Sequence, residues 1–130
     1  MTQIRIKDAA ALLGVSDDTI RRWIDQGELH ATTDASNVKV VDGKGLATLA
    51  QAHAHPAEDP LGIESSARNR FVGLVTKVTS DKVMSQVELQ CGPFRVVSLM
   101  STEAVNELGL EVGSIGVAAI KSTHVVVETK

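Results

Sequence analysis

One stretch, Ala52-His53-Ala54-His55-Pro56-Ala57-Glu58-Asp59-Pro60-Leu61-Gly62, divides this chain into halves whose apolar residues recur with different periods. Two prolines, a glycine and adjacent acids break both helix and sheet hydrogen bonding, so the stretch reads as a hinge. Before it, apolar residues fall at helical spacing; after it, β-branched residues alternate. A length of 130 residues leaves room for one domain or two small ones. The expectation is an α+β chain: a first domain over residues 1–54, a linker over 55–65 and a second domain over 66–130.

In the first half, Ile4-Arg5-Ile6 forms a short extended entry. Lys7 to Leu13 is helical, with Ala9, Ala10 and Leu13 facing inward, and Gly14 ends it because glycine tolerates the left-handed cap. Val15 turns into the core. Ser16 is the expected N-cap of a second helix, whose positive end suits Asp17 and Asp18. In that helix Ile20, Trp23 and Ile24 make one buried stripe, while Arg21, Arg22, Asp25 and Gln26 lie largely off it. Gly27 closes the helix and Leu29 packs below it. Leu46, Leu49 and Ala50 give a third helix.

Helix, glycine-containing turn and helix, with a polar face on the second, is the helix-turn-helix plan. The string from Asp8-Ala9-Ala10-Ala11-Leu12-Leu13-Gly14-Val15-Ser16 through Thr19-Ile20-Arg21-Arg22-Trp23-Ile24 to Gly27-Glu28-Leu29 resembles the MerR/excisionase-type winged helix-turn-helix. The resemblance implies a wing over His30 to Val41, turning near Asp34-Ala35-Ser36-Asn37. It also implies that Ser16, Thr19, Arg21 and Arg22 address the major groove or phosphates of double-stranded DNA, with Lys39 touching backbone from the wing. Charge works against tight binding. Residues 1–50 hold Arg5, Lys7, Arg21, Arg22, Lys39 and Lys44 against Asp8, Asp17, Asp18, Asp25, Glu28, Asp34 and Asp42, a balance of −1. A protein-contact role for the same fold therefore stands beside the DNA reading.

In the second half, Phe71 to Val78 reads as a strand, followed by a turn at Thr79-Ser80-Asp81-Lys82. Val83, Ser85, Val87 and Leu89 share one face of the next strand, with Gln86 and Glu88 opposite. Cys91-Gly92-Pro93 turns into a third strand, Phe94 to Met100. Ser101 or Thr102 caps a short helix through Leu108, and Gly109 ends it with Leu110 packing beyond. Ser114 to Ile120 and His124 to Glu128 are the fourth and fifth strands. Five short strands and one small helix suit an OB-like β-barrel.

Ser66-Ala67-Arg68-Asn69 and Lys121-Ser122-Thr123 are hydroxyl-plus-cation clusters beside strand-like runs. Brought together, they would supply the charge and donors that a small desolvated oxyanion requires; taken apart, they are solvated strand ends. From Ser66 to Glu128 the chain is similar to the Mop domain, the molybdate-binding TOBE-type module. The resemblance rests on Ser66 to Asn69, Phe71-Val72-Gly73-Leu74-Val75, Ala104-Val105-Asn106-Glu107-Leu108-Gly109-Leu110, Val112-Gly113 and Ile120-Lys121-Ser122-Thr123. It implies oxyanion contacts from Ser66, Ala67, Arg68, Asn69, Ser101, Lys121, Ser122 and Thr123, with molybdate or tungstate as ligand and no organic cofactor. It also implies sites shared between Mop domains, hence a homo-oligomer of at least two subunits. Where that family often carries a serine, this chain has Ala104, one hydroxyl fewer. Structural alternatives remain: Ser101 as a helix cap, Arg68 pairing with Glu64, Lys121 guarding a sheet edge, and His124 as an ordinary strand residue.

Composition removes other classes. Aromatic residues make up 2% of the chain, so its cores are aliphatic and base-stacking surfaces are essentially lacking. Net charge is −3, so any DNA contact comes from a local patch. One cysteine gives no disulfide framework, and with no apolar leader or membrane-length run the expectation is a cytoplasmic protein with no membrane partner. His53 and His55, at i and i+2 with no third ligand nearby, are expected as solvent-exposed residues. No nucleophile–base pair or paired carboxylates point to an enzyme. The function expected is a molybdate- or tungstate-responsive, DNA-binding transcriptional regulator. The alternative is a molybdate storage or delivery protein whose helix-turn-helix contacts a protein.

Overall fold

A computed structural model describes residues 2–130. The chain forms two compact units, Met1–His55 and Pro56–Lys130.

The first unit starts with strand β1 (Gln3–Arg5), which leads directly into helix α1 (Ile6–Leu13). Gly14 ends that helix at φ 67°, its N–H returning to the carbonyls of Ala10 and Ala11. Helix α2 (Asp17–Asp25) begins at Ser16, whose Oγ accepts the Thr19 N–H at 3.1 Å. Strands β2 (Ala31–Thr33) and β3 (Lys39–Asp42) form the wing hairpin, and β1 pairs with the other edge of β3 in the order β1-β3-β2. Asp34 Oδ1 accepts the N–H groups of Ser36 and Val38, both at 2.9 Å, and Asn37 takes φ 62°, so the turn is held by its own side chain. Helix α3 (Gly43–Ala52) is capped by Asp42, which accepts from Lys44 and Gly45. Ile6, Ala9, Ala10, Ile20, Trp23, Leu29, Val41, Leu46 and Leu49 make the core. Each large aliphatic buried there contributes roughly 1.5–3 kcal/mol. Leu13 is half-buried at its margin rather than inside it.

The second unit is an antiparallel sheet of order β6-β5-β4-β7, built from β4 (Asn69–Ser80), β5 (Met84–Cys91), β6 (Phe94–Ser101) and β7 (Ile115–Ile120), with helix α4 (Thr102–Leu108) after β6. Strand β4 serves two neighbours in turn. Asn69 to Leu74 pair with β7, and Leu74 to Ser80 pair with β5, with the register shifting between Val75 and Lys77. Such a bulge bends a strand and increases its twist, curling the sheet. Where β4 passes the end of β5 the backbones crowd. A Cβ at Gly73 would lie 2.5 Å from the Gln90 carbonyl oxygen and 2.6 Å from Cys91 Sγ. Val75, Val87, Leu89, Cys91 and Val105 form the core, with Val78, Val96, Met100 and Leu110 against it.

Two expectations change, the strand over 124–128 and the place of Val83, and two residues gain partners the sequence did not show. Residues 124–128 form no strand: Ser122–His124 is a 3-10 turn, and Val126 and Val127 stand 80% and 88% exposed. Four strands therefore pair in this unit among the described residues, and the α+β, OB-like class is unaffected. Val83 sits in the turn before β5 and is exposed, because Asp81 Oδ1 takes the N–H groups of Val83 and Met84. Glu88 lies on the outer face yet is buried, and Arg95 on β6 bonds its carboxylate at 2.6 Å. His53 is exposed as expected, and one face of its ring stacks on Trp23 with centroids 4.6 Å apart.

Candidate functional site

Residues 66–69 and 121–123, distant in sequence, are made neighbours by the β4–β7 register. Asn69 sits opposite Ile120, and its Nδ2 donates to the Ile120 carbonyl at 3.1 Å. The chain before Asn69 and the chain after Ile120 thus leave the same end of one strand pair, carrying Arg68 and Lys121. Both cations are exposed. Among the described residues neither enters an ion pair, and the Arg68–Glu64 pairing does not form. The 3-10 turn at Ser122–His124 places Ser122 and Thr123 directly after Lys121; the Thr123 hydroxyl lies 3.3 Å from His124 Nδ1. On the other arm, Ser65 Oγ accepts the Ala67 N–H at 3.1 Å. Ser66 is exposed. Because β7 is an edge strand, the gatekeeper reading of Lys121 also fits its position.

Ser101 is not brought to this cluster. It ends β6 opposite Met84, at the start of β5, and β5 there leads to Ser85 opposite Ser80. Ser101 therefore belongs to the Ser80 end of β4, and the Arg68–Lys121 cluster to the Asn69 end. Roughly 35 Å of strand contour separates those ends. Ser101 Oγ accepts the Ala104 N–H at 3.0 Å, which leaves its own O–H free to donate. Behind it runs a hydroxyl chain that sequence reasoning missed. Ser80 Oγ lies 2.7 Å from Ser85 Oγ, Ser85 Oγ 2.8 Å from Thr102 Oγ1, and Thr102 Oγ1 donates to the Asp81 carbonyl at 2.8 Å. Ser85 in the middle of an apolar alternation was the available signal. A hydroxyl buried to 1% exposure requires partners.

A second missed pair flanks the cation cluster. Asp59 Oδ2 accepts from Arg70 Nε at 2.7 Å, and Asp59 Oδ1 accepts the Leu61 N–H at 3.0 Å. The Arg70 guanidinium, then the Leu61 N–H, holds the Asp59 carboxyl below the ordinary carboxylate range. The segment expected as a free hinge is thus fixed to β4 at Asp59.

In the first unit, helical geometry puts Asp18, Arg21, Arg22 and Asp25 on one exposed face, opposite Ile20 and Trp23. Two carboxylates therefore offset the two arginines, and Arg21 Nη1 lies 3.7 Å from Asp18 Oδ1. Ser16 and Thr19 are bonded to each other at 3.0 Å at the head of the same helix. Lys39 is exposed at the start of β3. Among the described residues no group of His, Cys, Asp and Glu gathers to hold a metal ion, and no helix is long and apolar enough to cross a membrane.

A helix-turn-helix unit followed by a small OB-like unit defines a class: a two-part protein of binding modules rather than an enzyme. Residues 4–45 match the helix-turn-helix domain family and residues 65–127 match the TOBE domain family. The chain is 36% identical over 63 residues to "Molybdenum-pterin-binding protein 3" of Clostridium pasteurianum, covering 48% of this chain and 93% of that protein. The chain belongs to the TOBE-domain family, carrying in addition an N-terminal helix-turn-helix domain. It is also 37% identical over 70 residues to the "Molybdenum transport protein ModE" of Herbaspirillum seropedicae, covering 53% of this chain but only 26% of that relative's length. A molybdate-binding protein from Sporomusa ovata superposes with a TM-score of 0.50 at 22% identity, over 52% of this chain and 100% of that one, a likeness of fold.

Proposed function

We propose that this chain is a molybdate-responsive, DNA-binding transcriptional regulator acting in the cytoplasm. On this reading residues 1–54 are a MerR/excisionase-type winged helix-turn-helix, residues 55–65 a connector and residues 66–130 a Mop-type oxyanion module. The supporting observation is the pairing of Asn69 with Ile120, which gathers Arg68 and Lys121, neither of them with a carboxylate partner among the described residues. These two cations and the hydroxyls of Ser66, Ser122 and Thr123 fit a tetrahedral dianion; tungstate, of the same charge and shape, competes for the same donors. Arg68 and Lys121 offset its charge, Asn69 and Ser122 supply backbone N–H groups, and the Ala67 N–H joins them by exchanging Ser65 Oγ for the anion.

Ser101 contributes its free O–H from a second copy of the chain, because within one chain it belongs to the opposite end of β4. The anion then joins subunits and stabilises one arrangement of them, which is how its binding is linked to DNA binding. DNA is held by Arg21 and Arg22 with Ser16, Thr19 and Lys39, and two copies supply two reading helices for adjacent half-sites.

Titration calorimetry with molybdate, using sulfate as control, tests the anion reading. Selective heat is expected, and an equal response to both anions refutes it. The Asp18–Arg21 contact at 3.7 Å favours a second reading, a storage or delivery protein whose helix-turn-helix meets a protein partner. Saturable duplex binding that weakens steeply with salt excludes that one.

A further inference from the structure

We propose that the Asp59–Arg70 ion pair is a positioning clamp for the oxyanion arm, an inference that rests on the anion site proposed above. The arm, residues 61–68, contains no helix or strand. Its downstream end is fixed twice: Asn69 enters the sheet opposite Ile120, and its side chain bonds the Ile120 carbonyl. Upstream of Arg68 the only side-chain hydrogen bond within the arm itself, among the described residues, is the Ser65–Ala67 turn. The clamp supplies what is missing there. Arg70, on β4, reaches back eleven residues to Asp59 and closes the arm into a loop held at both ends.

The chemistry of the pair suits a fixed strut. Both Asp59 oxygens are engaged, one by Arg70 Nε at 2.7 Å and one by the Leu61 N–H at 3.0 Å. The Asp59 and Arg70 side chains are 35% and 22% exposed, so the pair is partly withdrawn from water; Arg70 Nη2 is enclosed without a hydrogen-bond partner among the described residues, and Nε alone carries the bond to Asp59. With both partners still partly in water the pair adds little to global stability, and its effect lies in where it holds the arm. Asp59 has a second consequence. Arg70 stands two residues from Arg68, and its engagement by Asp59 leaves Arg68 as the cation of this arm presented to ligand. An arm already closed does not have to be ordered by the anion, and that saving appears as affinity.

The test compares wild type with Asp59→Asn, which keeps size and shape and removes the charge, and with Asp59→Glu, which keeps the charge. Three readouts are taken on the full chain: molybdate affinity by calorimetry, the rate of tryptic cleavage after Arg68 without anion, and the melting temperature of the second unit. The expected result is a roughly tenfold loss of molybdate affinity in Asp59→Asn, the scale of ordering a loop and its side chains on binding. Cleavage after Arg68 becomes faster, the melting temperature stays within a degree or so, and Asp59→Glu recovers most of the affinity. Unchanged affinity and cleavage in Asp59→Asn overturn the clamp while leaving the anion site intact. A fall in melting temperature that parallels the loss of affinity in both variants overturns it in favour of general stabilisation. Wild type that binds no molybdate overturns the anion site and the clamp together.

Discussion

If the anion site is completed by a second subunit, two inactive variants should restore each other. Arg68→Ala removes a cation from the cluster at the Asn69 end of β4. Ser101→Asp acts at the other end and is chosen to spare the fold. Aspartate is as good an N-cap as serine, so the Ala104 N–H keeps its acceptor, now a carboxylate that faces the dianion. At about 4 Å and an effective dielectric near 20, that carboxylate costs roughly 4 kcal/mol per unit of ligand charge, close to a thousandfold in affinity. Each variant alone should therefore show no calorimetric heat at micromolar protein. In an equimolar co-refolded mixture, a site is intact only where an Arg68-bearing end meets a Ser101-bearing end. With random pairing that holds for about a quarter of sites, whatever the number of subunits in a closed ring. Calorimetry should return a wild-type dissociation constant with about a quarter of wild-type stoichiometry, and native mass spectrometry verifies that subunits mixed. A mixed sample with no recovered binding sinks the shared-site argument, because sites built within one chain cannot complement.

Gly73→Ala should destabilise the second unit by about 1–3 kcal/mol, since the new methyl meets the Gln90 backbone, which cannot step aside, as well as the Cys91 side chain. Thermal melts would show it as a lowered transition for that unit, with the helix-turn-helix transition unmoved. Arg22→Ala should leave the fold and the anion affinity intact while weakening duplex binding uniformly and lowering the salt slope by about 1, read by fluorescence anisotropy across salt concentrations. Asp81 gives an acid-side effect. The N–H groups of Met84 and Val83 hold its carboxyl below the ordinary range. Its contribution is thus complete above about pH 4 and is lost as pH falls through the lowered value. Asp81→Asn should therefore narrow the gap between melting temperatures at pH 7 and pH 2.5, and an unchanged gap would remove Asp81 from the acid response.

The local parts of this fold were legible because their causes are local. Gly14 and Gly109 end helices in the left-handed conformation, Ser16 and Ser101 cap them, and Asp34 to Asn37 turn the wing, each on bonds spanning four residues or fewer. What escaped depends on partners far along the chain. Alternation placed Glu88 opposite Val87 correctly but said nothing of Arg95, which lets a carboxylate be buried there. Val125-Val126-Val127 has the composition of a strand, and composition cannot supply the neighbour a strand requires. The two anion arms were legible as types of residue. That they adjoin while Ser101 stands at the other end of β4 is a fact of register, and register is set by pairing across the sheet. Asp59 looked like one more linker acid because its partner lies beyond the arm it closes.

The buried thiol of Cys91 makes the second unit its own reporter. It is the single sulfhydryl of the chain, 6% exposed, with burial pushing its pKa up and its Sγ directed at the Phe71 carbonyl at 3.7 Å. A thiol reagent can reach it only when the end of β5 lifts away from β4, so alkylation in the native state times that opening. No label has to be engineered. Any ligand that closes the second unit slows the reaction in proportion to its occupancy, so one mass measurement over time gives both a local unfolding equilibrium and a binding curve.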